Sequence, residues 1–170
     1  FPTWEQVENY IDGKQELPEK SIVITVDDGD PSFFELAVPI IQKYKIPITS
    51  FVITYWYGNR ANDKQDYVSY QSHSYDMHKA GSNGKGVMLS WDYDKIKDDI
   101  LLSRDVLGGA NIFCYPFGQY NDLDIKVLKE NGYRLAFTTK GGKVKKGSSK
   151  YELPRVRISG NTGIEEFKKK

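Results

Sequence analysis

The chain has 170 residues, of which 28% are charged, and its formal net charge at pH 7 is +1. This length predicts one domain over residues 1–170 with a substantial core. The balance of charges excludes the positive field typical of nucleic-acid-binding proteins and provides no attraction to anionic membranes. A single cysteine, Cys114, excludes an internal disulfide and a zinc site made of cysteines. Aromatic residues, at 14%, suit a carbohydrate groove and a packed core equally well.

The two ends of the chain carry little information about where the protein works. No apolar run is long enough for a transmembrane helix, and no signal peptide is present. The first residue is Phe1 rather than methionine, and the last residues, 164–170, look like the start of a helix. We therefore expect the chain to be trimmed at both termini, so that a missing targeting signal proves nothing.

Apolar spacing and capping residues predict alternating helices and strands along the chain. The predicted helices cover residues 3–11, 32–44, 91–106 and 122–131. The predicted strands cover residues 22–26, 46–54, 111–115, 134–139 and 153–159. Pro39 should kink or divide the second helix, Ser90 should cap the third, and residues 55–72 should form a polar loop over the site. This alternation is typical of an α/β protein with a parallel sheet.

Two adjacent carboxylates, Asp27 and Asp28, follow the strand predicted for residues 22–26 and precede Gly29. The C-terminal end of a buried parallel strand is where α/β enzymes usually hold their catalytic groups. Aspartate is also common in turns and helix caps, so a structural role stays open. Because neighbouring carboxylates repel each other, the pair indicates a positive group nearby.

The chain has two histidines, His73 and His78, and both fall in the segment H-S-Y-D-M-H. A purely structural pair is the alternative to a shared ligand site. On a regular helix a spacing of five places side chains about 140° apart, so that both cannot face one ion. We therefore expect His73 to leave a strand or turn and His78 to lie at a helix start, with Ser72 or Ser74 as the cap.

The histidine pair and the aspartate pair explain each other as parts of one metal site. Two imidazoles and one carboxylate form an open site that suits zinc, cobalt, nickel or iron. The strand end with Asp27 and Asp28 is the nearest supply of carboxylates, and a divalent ion would relieve the repulsion between them.

Three segments of the sequence resemble successive motifs of the polysaccharide deacetylase family, also described as NodB-homology or carbohydrate esterase family 4 proteins. They are Thr25–Gly29 (T-V-D-D-G), His73–His78 and Phe113–Gly118 (F-C-Y-P-F-G), within a region from Pro18 to Thr139. The long histidine spacing and Y-P-F-G are most similar to the poly-N-acetylglucosamine deacetylase branch. The resemblance implies a distorted, incomplete (β/α) barrel with mostly parallel strands, with which five predicted strands agree.

The resemblance also implies a reaction and the residues that perform it. The protein would hydrolyse N-acetyl groups of an N-acetylglucosamine polysaccharide and release acetate. Asp27 would be the general base, while Asp28, His73 and His78 would bind one divalent ion, with zinc expected and cobalt or nickel as alternatives. The backbone N–H of Phe117 would stabilise the oxyanion.

The sequence departs from the family pattern at two positions. Cys114 stands where family members typically have an arginine that orients the base, and no third histidine is present to act as the general acid. Residues 153–158 (L-P-R-V-R-I) stand roughly where that histidine would be. Arg155 is therefore a candidate for orienting an aspartate, although arginine cannot act as an acid at neutral pH and a surface role is the alternative.

The expected substrate groove would be lined by Tyr115, Pro116, Trp91 and Tyr120, for each of which a place in the core or rim is the alternative. The resemblance implies a polysaccharide partner and a secreted or cell-surface protein, and we expect a monomer. Two other functions stay open. One is a weakly active or inactive carbohydrate-binding domain that retains the metal site. The other is a related metallo-esterase or amidase acting on peptidoglycan, chitin or an O-acetylated substrate.

Overall fold

The computed structural model describes residues 1–82 and 84–169, which contain one sheet of six strands in sequential order. Every neighbouring pair of strands is parallel. The strands are β1 Ile24–Asp28, β2 Ile48–Val52, β3 Val68–Ser72, β4 Ile112–Cys114, β5 Leu135–Gly141 and β6 Leu153–Arg155. The helices are α1 Trp4–Ile11, α2 Val38–Tyr44, α3 Thr54–Tyr57, α4 Tyr93–Val106, α5 Asp122–Glu130 and α6 Ile164–Phe167.

The sheet curls into an incomplete barrel. In a flat sheet of six strands the two outer strands would lie about 24 Å apart. Instead, Arg155 at the end of β6 places its Nη1 atom 2.7 Å from Oδ1 of Asp27 on β1. The predicted α/β class and incomplete (β/α) barrel are therefore confirmed, with six strands rather than five.

The strand β3 was expected to be part of a loop because it contains little aliphatic surface. Its polar side chains are satisfied by neighbouring elements instead. Ser69 Oγ lies 2.8 Å from Thr49 Oγ1, and Ser72 shares a hydrogen bond of 2.7 Å with Ser103 on α4. These hydrogen bonds stabilise β3 although it has few apolar side chains. The prediction of a loop over residues 55–72 was therefore wrong for Val68–Ser72. Residues 55–62 of that range lie in α3 and in a short 3₁₀ turn, Gly58–Asn62, and residues 63–67 are a loop.

Several boundaries also differ from the prediction. The first strand begins and ends two residues later than predicted, so that both aspartates belong to it rather than follow it. Asp92, not Ser90, caps α4, because the Asp92 side chain accepts the Lys95 N–H and Ser90 lies in a 3₁₀ turn. The second helix is divided as expected: a π-helical turn, Phe33–Ala37, precedes α2, and Pro39 lies in the first turn of α2.

The core lies on both faces of the curled sheet. One cluster fills the barrel between the strands and α1, which packs at the amino-terminal ends of the strands through Val7 and Ile11. A larger cluster lies between the sheet and the helices α4 and α5 and includes Ile96, Ile100 and Val127. The carboxyl ends of the strands are therefore left for the site. Among the described residues, no helix has the length and apolarity needed to span a membrane.

A buried carboxylate in α5 predicts a pH dependence of stability. Burial raises the pKa of Asp124 to about 6, against the hydrogen bond from the Asn121 N–H that lowers it. Between about pH 4 and pH 6 the folded protein keeps a proton that the unfolded chain has lost, so the free energy of unfolding falls as pH rises. Between pH 4.5 and pH 7 the free energy of unfolding of Asp124→Asn should fall by about 1–3 kcal/mol less than that of wild type. Urea melts at the two pH values measure it. Asp122→Asn, at an exposed position of the same turn, should show the same fall as wild type.

Candidate active site

The predicted site residues meet at the carboxyl edge of the sheet. Asp27 and Asp28 are the last two residues of β1, His73 follows β3 directly, and Arg155 ends β6. The parallel register aligns Asp28 with Val52 of β2 and Val52 with Ser72 of β3, which brings the carboxylates and the first histidine to one level.

Asp28, His73 and His78 form a compact group of metal-ligating atoms. Oδ1 of Asp28 lies 3.5 Å from Nε2 of His73 and 3.6 Å from Nε2 of His78. The three ligand atoms all lie within 4.8 Å of one another. Because His73 is buried while Asp28 is about half exposed, the group faces solvent on one side. Two imidazole nitrogens and a carboxylate oxygen with an open side fit a catalytic divalent ion such as zinc.

A local backbone feature turns Asp28 toward the histidines. Asp28 has a φ of +76°, which is unusual for a residue with a side chain, and Gly29 follows with a φ of +77°. A side chain at Gly29 would also meet Cγ1 of Val52 at 3.0 Å. The glycine is therefore required on two counts, and it allows β1 to end abruptly beside the site.

A hydrogen bond to the backbone of β4 orients the ring of His73 for metal binding. Its Nδ1 lies 2.7 Å from the carbonyl oxygen of Cys114, which can only accept, so Nδ1 carries the proton. In the neutral imidazole, the form that binds a metal ion, Nε2 therefore has the lone pair, and it lies 3.5 Å from Oδ1 of Asp28. Metal-binding histidines commonly have such a partner on the other ring nitrogen.

The histidine segment is an irregular loop, and the expectation that His78 begins a helix was wrong. Residues 73–78 leave β3 without forming a helix, and Ser74 has a φ of +72°. The Ser74 hydroxyl accepts the Met77 N–H, as a cap would, but only a single turn results. The five-residue spacing is accommodated by this loop because no regular helix could direct both imidazoles to one ion.

The charges of Asp27, Asp28, His73 and His78 shift one another's pKa values. A hydrogen bond with His73 lowers the pKa of Asp28, and although burial lowers the pKa of His73, Cys114 and the two carboxylates raise it to about 10. The pKa of His78 is lowered by burial and by the charge of His73. A divalent cation would take the place of these protons and neutralise the carboxylates.

Asp27 is held by a bidentate ion pair with Arg155, next to the ligand trio of Asp28, His73 and His78. Arg155 donates from Nη1 to Oδ1 and from Nη2 to Oδ2, both at 2.7 Å. Arg155 also donates to Thr25 Oγ1 and the Thr138 carbonyl, which fixes the guanidinium. Burial by itself would raise the pKa of Asp27, but the bonds from Arg155 hold it below its usual range. Asp27 is therefore an ionised, oriented carboxylate.

The position of Cys114 explains how this ion pair is possible. Its Sγ lies 3.2 Å from Nη2 of Arg155 and 3.6 Å from Oδ2 of Asp27. Its small side chain leaves space beside Asp27, and that space is occupied by a guanidinium that comes from another strand.

Phe117 lies at a turn with an unusual backbone. It has a φ of +57° within the short helix Pro116–Gly118, and its ring centroid is 4.3 Å from that of His78. A Cβ atom at Gly118 would meet Oγ1 of Thr139 at 2.2 Å, so that only glycine fits there. The turn is thus placed directly against the metal-ligating group.

Of the four residues expected to line a sugar groove, two are buried and two are partly buried against the core. Tyr115 is 1% exposed and donates from its hydroxyl to the Tyr151 carbonyl, so its expected role as a groove residue is corrected to one in the core. Pro116 is likewise buried. Tyr120 stacks on Tyr115, and Trp91 packs against the same core with Lys95 over its ring.

Other side chains at the site were not singled out from the sequence. Trp56 on α3 is 48% exposed, and its ring lies edge-on to His78 at 6.2 Å between centroids. Tyr55, also exposed, contacts Tyr75 of the histidine loop. Asp99 on α4 accepts hydrogen bonds from that loop. The sequence did indicate that Asp99 is buried, because it lies on the same helix face as the apolar Ile96 and Ile100.

The fold is an incomplete parallel (β/α) barrel, and its candidate ligand group lies at the carboxyl edge of the sheet. The family model for polysaccharide deacetylase matches residues 14–136, and the chain belongs to this family.

Two curated relatives are named as deacetylases of the same polysaccharide. The chain is 29% identical over 169 residues to a poly-beta-1,6-N-acetyl-D-glucosamine N-deacetylase of Staphylococcus aureus, and 28% identical over 165 residues to that of Staphylococcus epidermidis. The matches cover 88% and 86% of this chain. The chain spans 58% and 57% of the lengths of these two relatives.

Solved structures agree on the fold. The structure of IcaB from Ammonifex degensii superposes with a TM-score of 0.82 at 25% identity, over 95% of this chain and 78% of that one. The Streptococcus pyogenes deacetylase PplD, solved with acetate, gives a TM-score of 0.84 at 23% identity, over 99% and 77% of the two chains.

The ion pair between Arg155 and Asp27 predicts that replacing Arg155 with lysine lowers the rate. We expect Arg155→Lys to retain the positive charge but lose the two-pronged contact, so that acetate release falls by about 10- to 100-fold. Initial rates on N-acetylglucosamine oligomers measure it. The matched control is Arg134→Lys, because Arg134 pairs with Glu8 at the opposite end of the sheet and should leave the rate unchanged. Equal rates for the two variants would contradict an orienting role.

Proposed function

We propose that this chain is a metal-dependent N-deacetylase of N-acetylglucosamine polysaccharide, with poly-β-1,6-N-acetylglucosamine as the favoured substrate. It would release acetate and leave free amines without cleaving the glycan chain. The observation that carries the proposal is the pairing of a ligand trio with an adjacent carboxylate, Asp27, that Arg155 keeps ionised and oriented. The printed names of the staphylococcal relatives support the choice of substrate.

In this mechanism Asp28 would hold the ion through a carboxylate oxygen, and His73 and His78 would hold it through ring nitrogens. A divalent ion bound there would supply Lewis acidity, which polarises the acetamide carbonyl and lowers the pKa of bound water. Asp27 accepts the proton from the attacking water as general base. Phe117, next to His78, offers its backbone N–H to the developing oxyanion.

The leaving amine must receive a proton before the C–N bond breaks. Both histidines of the chain belong to the ligand trio, and arginine does not titrate at neutral pH. We propose that Asp27, once protonated by the attacking water, returns this proton to the amine. Its lowered pKa makes the protonated carboxyl a strong donor, so one residue serves both steps.

Metal content is the direct test of the site. We expect purified protein to hold about one zinc ion per chain, with cobalt or nickel as functional substitutes. Chelation should abolish acetate release from N-acetylglucosamine oligomers, and zinc should restore it. Elemental analysis and an acetate assay measure the two quantities. Protein that binds no metal, even after metal is added back, would contradict the proposal.

A catalytically weak carbohydrate-binding domain is the second candidate. It is favoured by the absence of a third histidine from the sequence. Metal binding without acetate release would support it. A panel of chitin, peptidoglycan and O-acetylated substrates tests the remaining alternative, a metallo-esterase or amidase with the same ligand set.

The proposal also covers the location of the protein, its domain organisation and its oligomeric state. Because exopolysaccharides lie outside the cell, we propose that the protein is secreted or held at the cell surface. We also propose that residues 1–170 act as a single deacetylase domain and as a monomer, which light scattering of the purified protein tests.

A further inference from the structure

The loop that carries both histidines, residues 73–78, is held by hydrogen bonds from two helices. On one side, the N–H of Thr54 donates to the Ser74 carbonyl at 3.2 Å, and the N–H of Tyr55 donates to the Tyr75 carbonyl at 3.0 Å. These bonds fix the loop's carbonyl groups to the start of α3. The loop's own N–H groups at Tyr75 and Asp76 point the other way, toward α4.

Asp99 receives both of these N–H groups. Its Oδ1 accepts from Tyr75 N at 2.7 Å, and its Oδ2 accepts from Asp76 N at 2.8 Å. The residue is 7% exposed, although aspartate is rarely buried without a specific partner. Burial raises its pKa to about 6, against the two backbone bonds that lower it. Each oxygen of a buried charge is thus used to fasten the histidine loop.

We propose that Asp99 is a positioning residue that fixes His78 at metal-binding distance from Asp28 and His73. The inference rests on the proposed metal-dependent function. His73 is independently fixed, since it adjoins β3 and donates to the Cys114 carbonyl. His78 lies two residues beyond Asp76, in a segment without helix or strand structure. The position of His78 therefore depends on the anchoring of Tyr75 and Asp76 more than the position of His73 does.

The chemistry of the contact requires a carboxylate rather than an amide. Two converging N–H donors need two acceptor atoms, and a carboxylate supplies both. Asparagine supplies one oxygen, and its NH₂ group would face the second N–H donor in a buried place. The nearby carboxylate of Asp76 pairs with Lys79, so it does not replace Asp99 as the acceptor of these N–H groups.

The test compares Asp99→Asn with Asp98→Asn, which changes the same charge at an exposed position of the same helix. Zinc affinity is measured by competition with a chromophoric chelator. We expect Asp99→Asn to bind zinc about 10- to 100-fold more weakly than wild type and Asp98→Asn to match wild type. In the metal-free protein, hydrogen exchange at the Tyr75 and Asp76 amides should be faster in Asp99→Asn only.

The outcomes separate this inference from the proposed function. Wild-type protein that binds no zinc would overturn the proposed function, and the positioning role with it. Wild-type protein that binds zinc, with Asp99→Asn binding equally well, would overturn the positioning role alone. A residue that only stabilised α4 would lower the Tm and leave the zinc affinity of the folded protein unchanged, which also overturns it. If Asp99→Asn does not fold, the same zinc affinity and hydrogen exchange are measured for Asp99→Glu, which keeps both carboxylate oxygens on a longer side chain. The same results then support or overturn the positioning role.

Discussion

We expect Asp27→Asn to reduce acetate release from N-acetylglucosamine oligomers by about 10²- to 10⁴-fold, the usual contribution of a general base. The amide is nearly the same size as the carboxylate but cannot accept a proton from water at neutral pH. The loss should appear in kcat rather than KM, because the group acts on the reacting water and not on the bound sugar. Steady-state kinetics of the zinc-loaded variant measure both constants.

Metal content is the control for this variant. Asp27 lies beside the trio, so Asp27→Asn should retain about one zinc ion per chain. Unchanged glycan binding with lost turnover would support the enzyme over the carbohydrate-binding domain. Turnover close to that of wild type, with zinc bound, would contradict the role of Asp27 as the base.

The second large effect is expected for Asp28→Ala. This change removes the carboxylate that approaches Nε2 of both histidines, and two imidazoles alone would hold an ion poorly. Changes to outer partners of metal ligands typically cost about 10- to 100-fold in affinity, so the loss of a ligand should exceed about 100-fold. Acetate release should disappear together with the zinc. Chelator competition and elemental analysis measure the affinity and the content.

The comparison of the two aspartates is itself informative. Asp27→Asn should separate turnover from metal binding, whereas Asp28→Ala should remove both. Neighbouring residues of one strand would then have different roles, because successive side chains point to opposite sides of a strand and the positive φ of Asp28 redirects its carboxylate. Loss of zinc from both variants would show that Asp27 is a ligand, and retention by both would show that neither is.

Much of the fold could be predicted from local sequence patterns. The Thr3–Gln6 capping box begins α1, the amphipathic segment before Gly132 forms α5, and alternating strands and helices indicate a parallel sheet. These features depend on residues within four positions of one another, which is the range that periodicity and capping report. The aspartate pair and the histidine pair were recognisable for a different reason: their residue types are unusual where they occur.

The tertiary structure decided the rest. Arg155 reaches Asp27 across 128 residues of sequence because the curled sheet brings β6 next to β1. The polar strand β3 exists because Ser69 and Ser72 find partners on β2 and α4. Asp99 reaches the histidine loop only because α4 packs behind it. The sequence by itself therefore determined the kinds of chemical groups and the class of fold. The orientation of those groups arose from contacts between distant segments, which leave no periodic signal in the sequence.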